Sequence, residues 1–199
     1  MSTVVIGLTG PTGAGKSTAR QVAKSLGFFV IDADNVSRNV TQKGSKLLPL
    51  LENEFGGVVK EGELDRKALG LKAFSSAENT KKLNSITHPF IVSEIKAIIE
   101  NARDDGAKFI LLDAPTLFEA GANNLCQKTI AVLADKSERL KRIMARDGLT
   151  KPQAECRMNA SKTDEFYKQN CDIILYNNTQ NDLFLAECEK LFKTISREG

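Results

Sequence analysis

Short runs of almost continuous apolar residues alternate along the chain with longer segments in which apolar positions recur at helical spacing. Five of these runs are short enough to predict buried strands, and they lie at 4–8, 28–31, 109–112, 129–133 and 173–176. Continuous apolar strands that alternate with helical segments indicate a parallel sheet covered on both faces. The pattern therefore predicts an α/β fold with a parallel five-stranded sheet flanked by helices.

The longest stretch without a convincing strand lies between the second and third of these runs. Helical spacing and capping candidates recur there at 46–55, 65–74 and 76–105. Residues 57–59 offer at most a turn region. We expect a helical insertion at about 44–107 that binds and covers a substrate, with long packing helices of no substrate role as the alternative.

A second helical stretch, rich in charged residues, follows the fourth run at about 137–169, and we expect a small helical lid there. The remaining residues, at about 1–43, 108–136 and 170–199, would form the core. A chain of 199 residues can bury one α/β core with inserted subdomains. We therefore expect a single domain over 1–199.

The first strand leads directly into the sequence GPTGAGKS at 10–17, which matches the pattern G-x-x-x-x-G-K-[ST] at every fixed position. Glycines let the backbone curl around phosphate oxygens, so that successive N–H groups point at the anion. Lys16 adds a charge that reaches the β- and γ-phosphates, and the Ser17 hydroxyl is placed to ligate Mg²⁺. The sequence thus predicts a P-loop NTPase-type fold that binds ATP or GTP. The residues expected at the nucleotide phosphates are Gly13, Ala14, Gly15, Lys16, Ser17 and Thr18.

Carboxylates follow two of the predicted strands. Asp32 and Asp34 would point to opposite sides if the second strand continued through them, so only one would face a reaction centre. The other would approach Mg²⁺ through water or cap the helix that begins near Asn35. Asp113 ends the central strand, where P-loop NTPases usually carry a carboxylate that orients Mg²⁺. We expect Ser17 and Asp113 at the metal, with a plain strand-end turn as the alternative for Asp113.

Arg139, Arg142 and Arg146 are spaced by three and four residues and share one face of a predicted helix. Guanidinium groups stay charged and donate paired hydrogen bonds, so such a row can hold phosphate oxygens. An ordinary solvated face is the alternative, and the P-loop favours the phosphate role.

The bulk composition and the missing motifs narrow the class of protein. The formal net charge of +3 suits phosphorylated substrates but is too small for a nucleic-acid surface, and we expect no nucleic-acid partner. Outside the P-loop, neither D-x-x-G nor N-K-x-D occurs, which favours a small-molecule kinase over a GTPase switch. The single histidine and the four cysteines without a C-x-x-C pair offer no zinc site. No signal-peptide pattern and no membrane-length apolar run occur, so we expect a cytoplasmic protein with no membrane partner.

Six short motifs are distributed along nearly the whole chain. They are the P-loop at 10–17, D-A-D at 32–34, G-E-L-D-R at 62–66, H-P at 88–89, D-A-P-T-L-F-E at 113–119 and the segment 172–177. In this order they resemble the dephospho-CoA kinase family. The resemblance implies transfer of the ATP γ-phosphate to the ribose 3′-hydroxyl of dephospho-CoA. A kinase for another small molecule and a non-enzymatic nucleotide-dependent interaction protein remain the alternatives.

The resemblance also implies site residues, partners and cofactors. Asp34 would be the base for the 3′-hydroxyl, and Asn177 would lie beside the adenine. Arg142 and Arg146 would contact the ATP phosphates. The candidate contacts to dephospho-CoA are Arg66, His88 and Phe118, although a structural histidine and a core phenylalanine are equally good explanations for the last two. ATP and Mg²⁺ are the expected cofactors, and the chain is expected to be a monomer or a weak homo-oligomer.

Overall fold

The computed structural model describes residues 3–178 and 181–198. The contacts between residues divide the chain into two compact units. The first unit combines Met1–Ile31 with Asn101–Gly199, and the second unit is Asp32–Glu100.

The strands and helices follow the predicted alternation. The strands are β1 (Val4–Thr9), β2 (Phe29–Asp32), β3 (Val59–Lys60), β4 (Glu63–Leu64), β5 (Phe109–Asp113), β6 (Lys128–Leu133) and β7 (Ile173–Tyr176). The helices are α1 (Lys16–Ser25), α2 (Ala33–Asn39), α3 (Leu47–Phe55), α4 (Arg66–Ala73), α5 (Ala77–Asp104), α6 (Lys136–Asp147), α7 (Lys151–Asn159), α8 (Asp164–Asn170) and α9 (Asn181–Glu198). A short 3₁₀ helix spans Ala122–Leu125.

The predicted five-stranded sheet is confirmed, and its strand order is β2-β5-β1-β6-β7. The strand β1 lies at its centre and pairs in parallel with β5 and with β6. The register places Leu8 opposite Asp113, so the strand that carries the P-loop ends beside the strand that carries this carboxylate. Ligands of open parallel sheets gather at the carboxyl ends of the strands, which places both groups at the functional edge.

The strand β6 shows why this sheet needs helices on both sides. Ile130 and Val132 belong to the main core cluster, which the helices α1 and α9 complete. Ala131 and Leu133 pack instead beside Tyr167 of α8. Because successive side chains of a strand point to opposite faces, a continuous apolar run is what a strand buried on both faces requires.

The second unit has its own apolar cluster and a hairpin that the sequence pattern did not show. The cluster is formed by Leu47, Leu51, Val58, Leu69 and Ala73. The strands β3 and β4 pair in antiparallel fashion, and the expectation of no more than a turn region near 57–59 was wrong. Strands of two residues are too short for a hydrophobic period to be visible.

The second strand does not continue through Asp34, so the condition under which the two carboxylates would point to opposite sides is not met. The strand β2 ends at Asp32, and α2 begins at the next residue. The Asp32 carboxylate accepts the backbone N–H groups of Asp34 and Asn35 at 3.0 and 3.2 Å, which is N-cap geometry. The two carboxylates therefore belong to a helix start.

The charged stretch after β6 forms three helices. The helix α6 ends at Asp147, and Gly148, which follows it, has a φ of +64° in the left-handed region that favours glycine. Pro152 lies in the first turn of α7, and the Thr150 backbone N–H just before it donates to Gln153 Oε1. The Thr163 hydroxyl caps α8 by accepting the N–H of Phe166. The predicted lid is thus divided into three helices by Gly148, Pro152 and Thr163.

The Asp172 carboxylate, just before β7, ties this strand to β6 and predicts a pH dependence of stability. It accepts the Thr129 hydroxyl and the Thr129 backbone N–H, both at 2.7 Å. These bonds hold the pKa of Asp172 below its usual range, because they stabilise the charged form. A lowered pKa in the folded state contributes stability above the unfolded pKa of about 3.9, and that stability is lost as the pH falls through the folded value.

We therefore expect Asp172→Asn to be less stable than the wild-type chain at neutral pH. The difference in the free energy of unfolding should shrink between about pH 5 and pH 2, when the wild-type carboxylate also becomes neutral. Urea denaturation at a series of pH values measures this difference. A gap that stays constant over the whole range would show that the Asp172 charge does not stabilise the fold.

Candidate active site

The loop that follows β1 has a backbone shape that only glycine allows at two positions. Gly10 has a φ of +136°, and an added Cβ there would collide with the carbonyl oxygen of Val132 on the neighbouring strand. Gly15 has a φ of +107°, and an added Cβ would collide with the side-chain nitrogen of Asn177. The glycines of the motif are therefore required both by the turn and by close neighbours.

The helix α1 begins at Lys16, with Ser17 and Thr18 in its first turn. The N–H groups of a first helical turn have no partner further back in their own helix, and together with the helix dipole they attract anions. The Lys16 Nζ donates to the Gly10 carbonyl at 2.7 Å, so its ammonium lies across the loop. This part of the structure has the shape and charge of a phosphate-binding site.

The carboxylate of Asp113 at the end of β5 is almost fully buried and is paired with an arginine that sequence reasoning missed. The Nη1 of Arg20, on α1, lies 3.1 Å from Asp113 Oδ2. A pattern search does not single out Arg20, because it lies outside the motif. Its position four residues after Lys16 places it on the same side of α1 as that residue.

The residues expected at Mg²⁺ have suitable chemistry for that ion. Ser17 is exposed in the first turn of α1, and Asp113 supplies a carboxylate at the end of the adjacent strand. Mg²⁺ prefers oxygen ligands and is usually held by one or two protein groups together with substrate phosphates. Among residues 3–178 and 181–198, no cluster of three or more His, Cys, Asp or Glu side chains could hold a metal ion by itself. A metal shared with nucleotide phosphates fits this donor set.

The three arginines of α6 have different environments. Arg139 is buried, donates from Nε to the Thr12 carbonyl at 3.0 Å and has its Nη1 3.5 Å from Asp164. Burial lowers the pKa of the Arg139 guanidinium, and the nearby Asp164 carboxylate opposes this effect. Arg139 therefore links the P-loop to α8 through its Nε and Nη1.

Arg142 connects the P-loop to the end of the last strand. Its Nη1 lies 3.4 Å from the carbonyl oxygens of both Gly13 and Ala14, and its Nη2 donates to the Asn177 carbonyl at 2.9 Å. The buried Asn177 donates from Nδ2 to the Ala14 carbonyl at 2.9 Å. The structure thus brings Arg142 and Asn177 together at the phosphate-binding loop.

Arg146 is more exposed and forms a two-pronged pair with the next residue, Asp147. Its Nε and Nη2 lie 2.7 and 2.9 Å from the two carboxylate oxygens, and Arg157 of α7 donates to the same carboxylate at 2.9 Å. The Arg146 hydrogen bond holds the pKa of Asp147 below its usual range. Helical spacing does not place Asp147 on the face of the three arginines, yet its carboxylate turns back and pairs with Arg146.

Phe118 lies in the first unit, after β5, as part of a group of aromatic side chains. Its ring meets the ring of Phe166 edge to face, with centroids 5.6 Å apart. The Lys162 ammonium lies 5.4 Å from the centroid of the same Phe166 ring. Phe118 is only half-buried. The contact with Phe166 buries one part of the Phe118 side chain, and another part of it stays accessible.

The remaining expected site residues lie in the second unit. Asp34 is exposed in the first turn of α2. Arg66, at the start of α4, donates from Nη2 to the Thr41 hydroxyl at 2.7 Å and to the Arg38 carbonyl at 3.2 Å. His88 is half-buried within α5. Within this unit, each of the three side chains is at least partly accessible to a ligand.

The profile of the family described as dephospho-CoA kinase matches residues 4–182. The chain belongs to the dephospho-CoA kinase family. A dephospho-CoA kinase from Corynebacterium glutamicum is 38% identical over 192 residues, which cover 96% of this chain and 96% of that protein.

Solved structures agree with membership of the dephospho-CoA kinase family. The dephospho-CoA kinase from Campylobacter jejuni is 31% identical with a TM-score of 0.73, and the alignment covers 98% of both chains. A crystal structure from Thermus thermophilus has a TM-score of 0.80 at 29% identity, covering 100% of this chain and 98% of that one. A shikimate kinase from Acinetobacter baumannii has a TM-score of 0.55 at 15% identity, covering 99% of this chain and 95% of that one, and it supports the P-loop kinase fold alone.

In this member of the dephospho-CoA kinase family, two contacts that the sequence pattern does not show tie the P-loop to the residues after β6. The Thr12 N–H donates to the Ser161 hydroxyl at 3.2 Å, while the Thr12 carbonyl accepts from Arg139. Neither Ser161 nor the buried environment of Arg139 has a sequence signal, since these contacts join residues more than 120 positions apart.

Proposed function

We propose that the chain transfers the γ-phosphate of ATP to the ribose 3′-hydroxyl of dephospho-CoA, giving ADP and coenzyme A. The observation that carries this proposal is the P-loop at the start of α1, with Lys16 lying across it, in a chain of the dephospho-CoA kinase family. A loop of this shape holds phosphates by backbone N–H groups and a positive charge. The family membership supplies the acceptor.

The ATP side of the reaction is assigned to the loop and the arginines. The N–H groups of 13–18 hold the phosphates, and Lys16 neutralises charge that builds up on the transferred group. Arg142 and Arg146 contact phosphate oxygens, and Arg146 would then exchange its Asp147 partner for a phosphate. Asn177 completes this side, because its Nδ2 donates to the Ala14 carbonyl of the loop.

Mg²⁺ is assigned to Ser17 and Asp113. When bound, the ion neutralises charge on the β- and γ-phosphates. Arg20, which pairs with Asp113, fixes the position of this carboxylate at the end of β5.

The acceptor side is assigned to residues of the second unit and to Phe118. Asp34 accepts a hydrogen bond from the 3′-hydroxyl, orients its oxygen toward the γ-phosphorus and takes its proton as the new P–O bond forms. The transition state of phosphoryl transfer is loose, so the proton leaves late and the carboxylate serves mainly to orient the hydroxyl. Arg66, His88 and Phe118 are proposed contacts to dephospho-CoA. Arg66 suits a phosphate because its guanidinium can donate in pairs.

The same proposal assigns a role to each segment of the chain. The nucleotide core comprises about 1–43, 108–136 and 170–199, the insertion at about 44–107 binds dephospho-CoA, and the lid at about 137–169 covers the phosphates. No helix in the part of the chain that the structure describes is long and apolar enough to cross a membrane. We propose a cytoplasmic monomer or weak homo-oligomer whose partners are small molecules and not nucleic acid.

The test measures ADP release from ATP and Mg²⁺ with and without dephospho-CoA, followed by mass detection of the acceptor. We expect ADP release that depends on dephospho-CoA and an acceptor heavier by one phosphate. A panel of nucleoside monophosphates and sugars serves as the control. Turnover of a panel member in place of dephospho-CoA would indicate a different small-molecule kinase. Nucleotide binding without any turnover would favour the interaction-protein alternative.

A further inference from the structure

The end of the last strand carries a buried asparagine whose amide is used within the protein. Asn177 is only 6% exposed. Its Nδ2 donates to the Ala14 carbonyl at 2.9 Å, and its Oδ1 lies 3.4 Å from the Arg142 Nη2. Its backbone N–H donates to the Leu133 carbonyl, which fixes the residue at the edge of β6. Both ends of the side-chain amide therefore face protein groups.

The P-loop is built to receive this side chain. The space that a Cβ would fill at Gly15 is taken by the Asn177 amide nitrogen. The same Ala14 carbonyl lies 3.4 Å from Arg142 Nη1, and Arg142 Nη2 donates to the Asn177 carbonyl. Asn177 and Arg142 thus hold one carbonyl of the loop from the same side.

Holding this carbonyl fixes the direction of an N–H group. The Ala14 C=O and the Gly15 N–H belong to one planar trans peptide group, in which they point in opposite directions. The preceding group is fixed as well, since the Ala14 N–H donates to the Pro11 carbonyl at 3.3 Å. With the Ala14 oxygen bound to Asn177, the Gly15 N–H points away from Asn177.

We propose that Asn177 is a positioning residue that orients the Gly15 N–H for a phosphate oxygen, and that it does not read the adenine base. The inference rests on the ATP site of the proposed function, but it does not depend on which acceptor is phosphorylated. Preorganised donors bind an anion without a further cost for turning the peptide group. The contribution of Asn177 should therefore appear with any ligand that carries a triphosphate.

The test compares ATP with inorganic tripolyphosphate, which has no base, by competition against a fluorescent nucleotide in the presence of Mg²⁺. We expect Asn177→Ala to weaken both ligands by about the same factor, roughly tenfold, the order that follows from losing one buried hydrogen bond. The matched control is Asn178→Ala. The Asn178 side chain faces away from the loop contacts of Asn177 and exchanges two hydrogen bonds with Asp135, at the start of α6. This control should bind both ligands as the wild-type chain does.

The outcomes separate the two roles of Asn177. A loss confined to ATP, with tripolyphosphate unaffected, would overturn the proposal in favour of an adenine contact, and unchanged binding of both ligands would overturn it as well. Asn177→Leu, which keeps the side-chain volume without charge or hydrogen bonds, repeats the test if the alanine variant melts early. Intact triphosphate binding without dephospho-CoA turnover in the wild-type chain would count against the proposed function but not against this role.

Discussion

The Asp34→Asn variant should phosphorylate dephospho-CoA about a thousandfold more slowly than the wild-type chain, within the range for loss of a general base. Asp34 is exposed in the first turn of α2, and its backbone N–H is held by the Asp32 carboxylate. Asparagine has the same shape and leaves that bond in place, but its amide cannot take the proton of the 3′-hydroxyl. The variant should fold normally and bind ATP with unchanged affinity. Initial rates of ADP formation and calorimetric ATP binding measure the two quantities.

The neighbouring carboxylate supplies the sharpest comparison for this prediction. Asp32→Asn keeps an oxygen that can accept the N–H groups of Asp34 and Asn35, so α2 should still begin at Ala33. If Asp34 is the base, Asp32→Asn should lose much less turnover than Asp34→Asn. A larger loss of turnover in Asp32→Asn than in Asp34→Asn would indicate that Asp32 is the base. Near-normal turnover in Asp34→Asn would show that the base is a different group.

The sheet could be predicted from the sequence because its signal is local. Each strand is a nearly continuous apolar run. The strand β6 shows the reason, because its two faces pack in two different apolar clusters. The P-loop could be predicted for a similar reason. Its shape depends on glycines at fixed spacing, and the collisions that a Cβ would cause at Gly10 and Gly15 explain why no other residue serves there.

The partners of the site residues could not be predicted, because they depend on contacts between distant parts of the chain. Arg139 shares a helix face with Arg142 and Arg146, yet it is buried against Thr12 and Asp164. Helical spacing gives a common face but not the neighbours of that face. The sequence therefore indicated a row of equivalent arginines, whereas the structure gives each of them a different environment.

The start of α2 shows an intermediate case. Aspartate is one of the preferred N-cap residues, so Asp32 carried a helix-start signal. The apolar run that ends at Ile31 carried a strand signal, and it is directly followed by this cap residue. Only the backbone shows that β2 ends and α2 begins at this point, and this decides that Asp32 is the cap and Asp34 the exposed carboxylate.

Replacing Lys16 with Ala should lower kcat/KM by about a hundredfold to a thousandfold, the range for losing one preorganised donor to a developing charge. The Lys16 ammonium lies across the P-loop, 2.7 Å from the Gly10 carbonyl, where it can move to the γ-phosphate without leaving the loop. Charge shifts toward the leaving oxygen in the transition state, so kcat should fall more than ATP affinity does. Steady-state kinetics together with equilibrium ATP binding separate the two effects.

Two further variants give this prediction its controls. Lys24→Ala removes an exposed lysine from the last turn of the same helix and should leave kcat/KM close to the wild-type value. Lys16→Arg keeps the charge but replaces a compact ammonium with a wide planar group, so it should restore only part of the lost activity. An unchanged kcat in Lys16→Ala would rule out the γ-phosphate role. Full activity in Lys16→Arg would mean that charge alone matters at this position, and that the narrow shape of the loop around Lys16 does not select the ammonium.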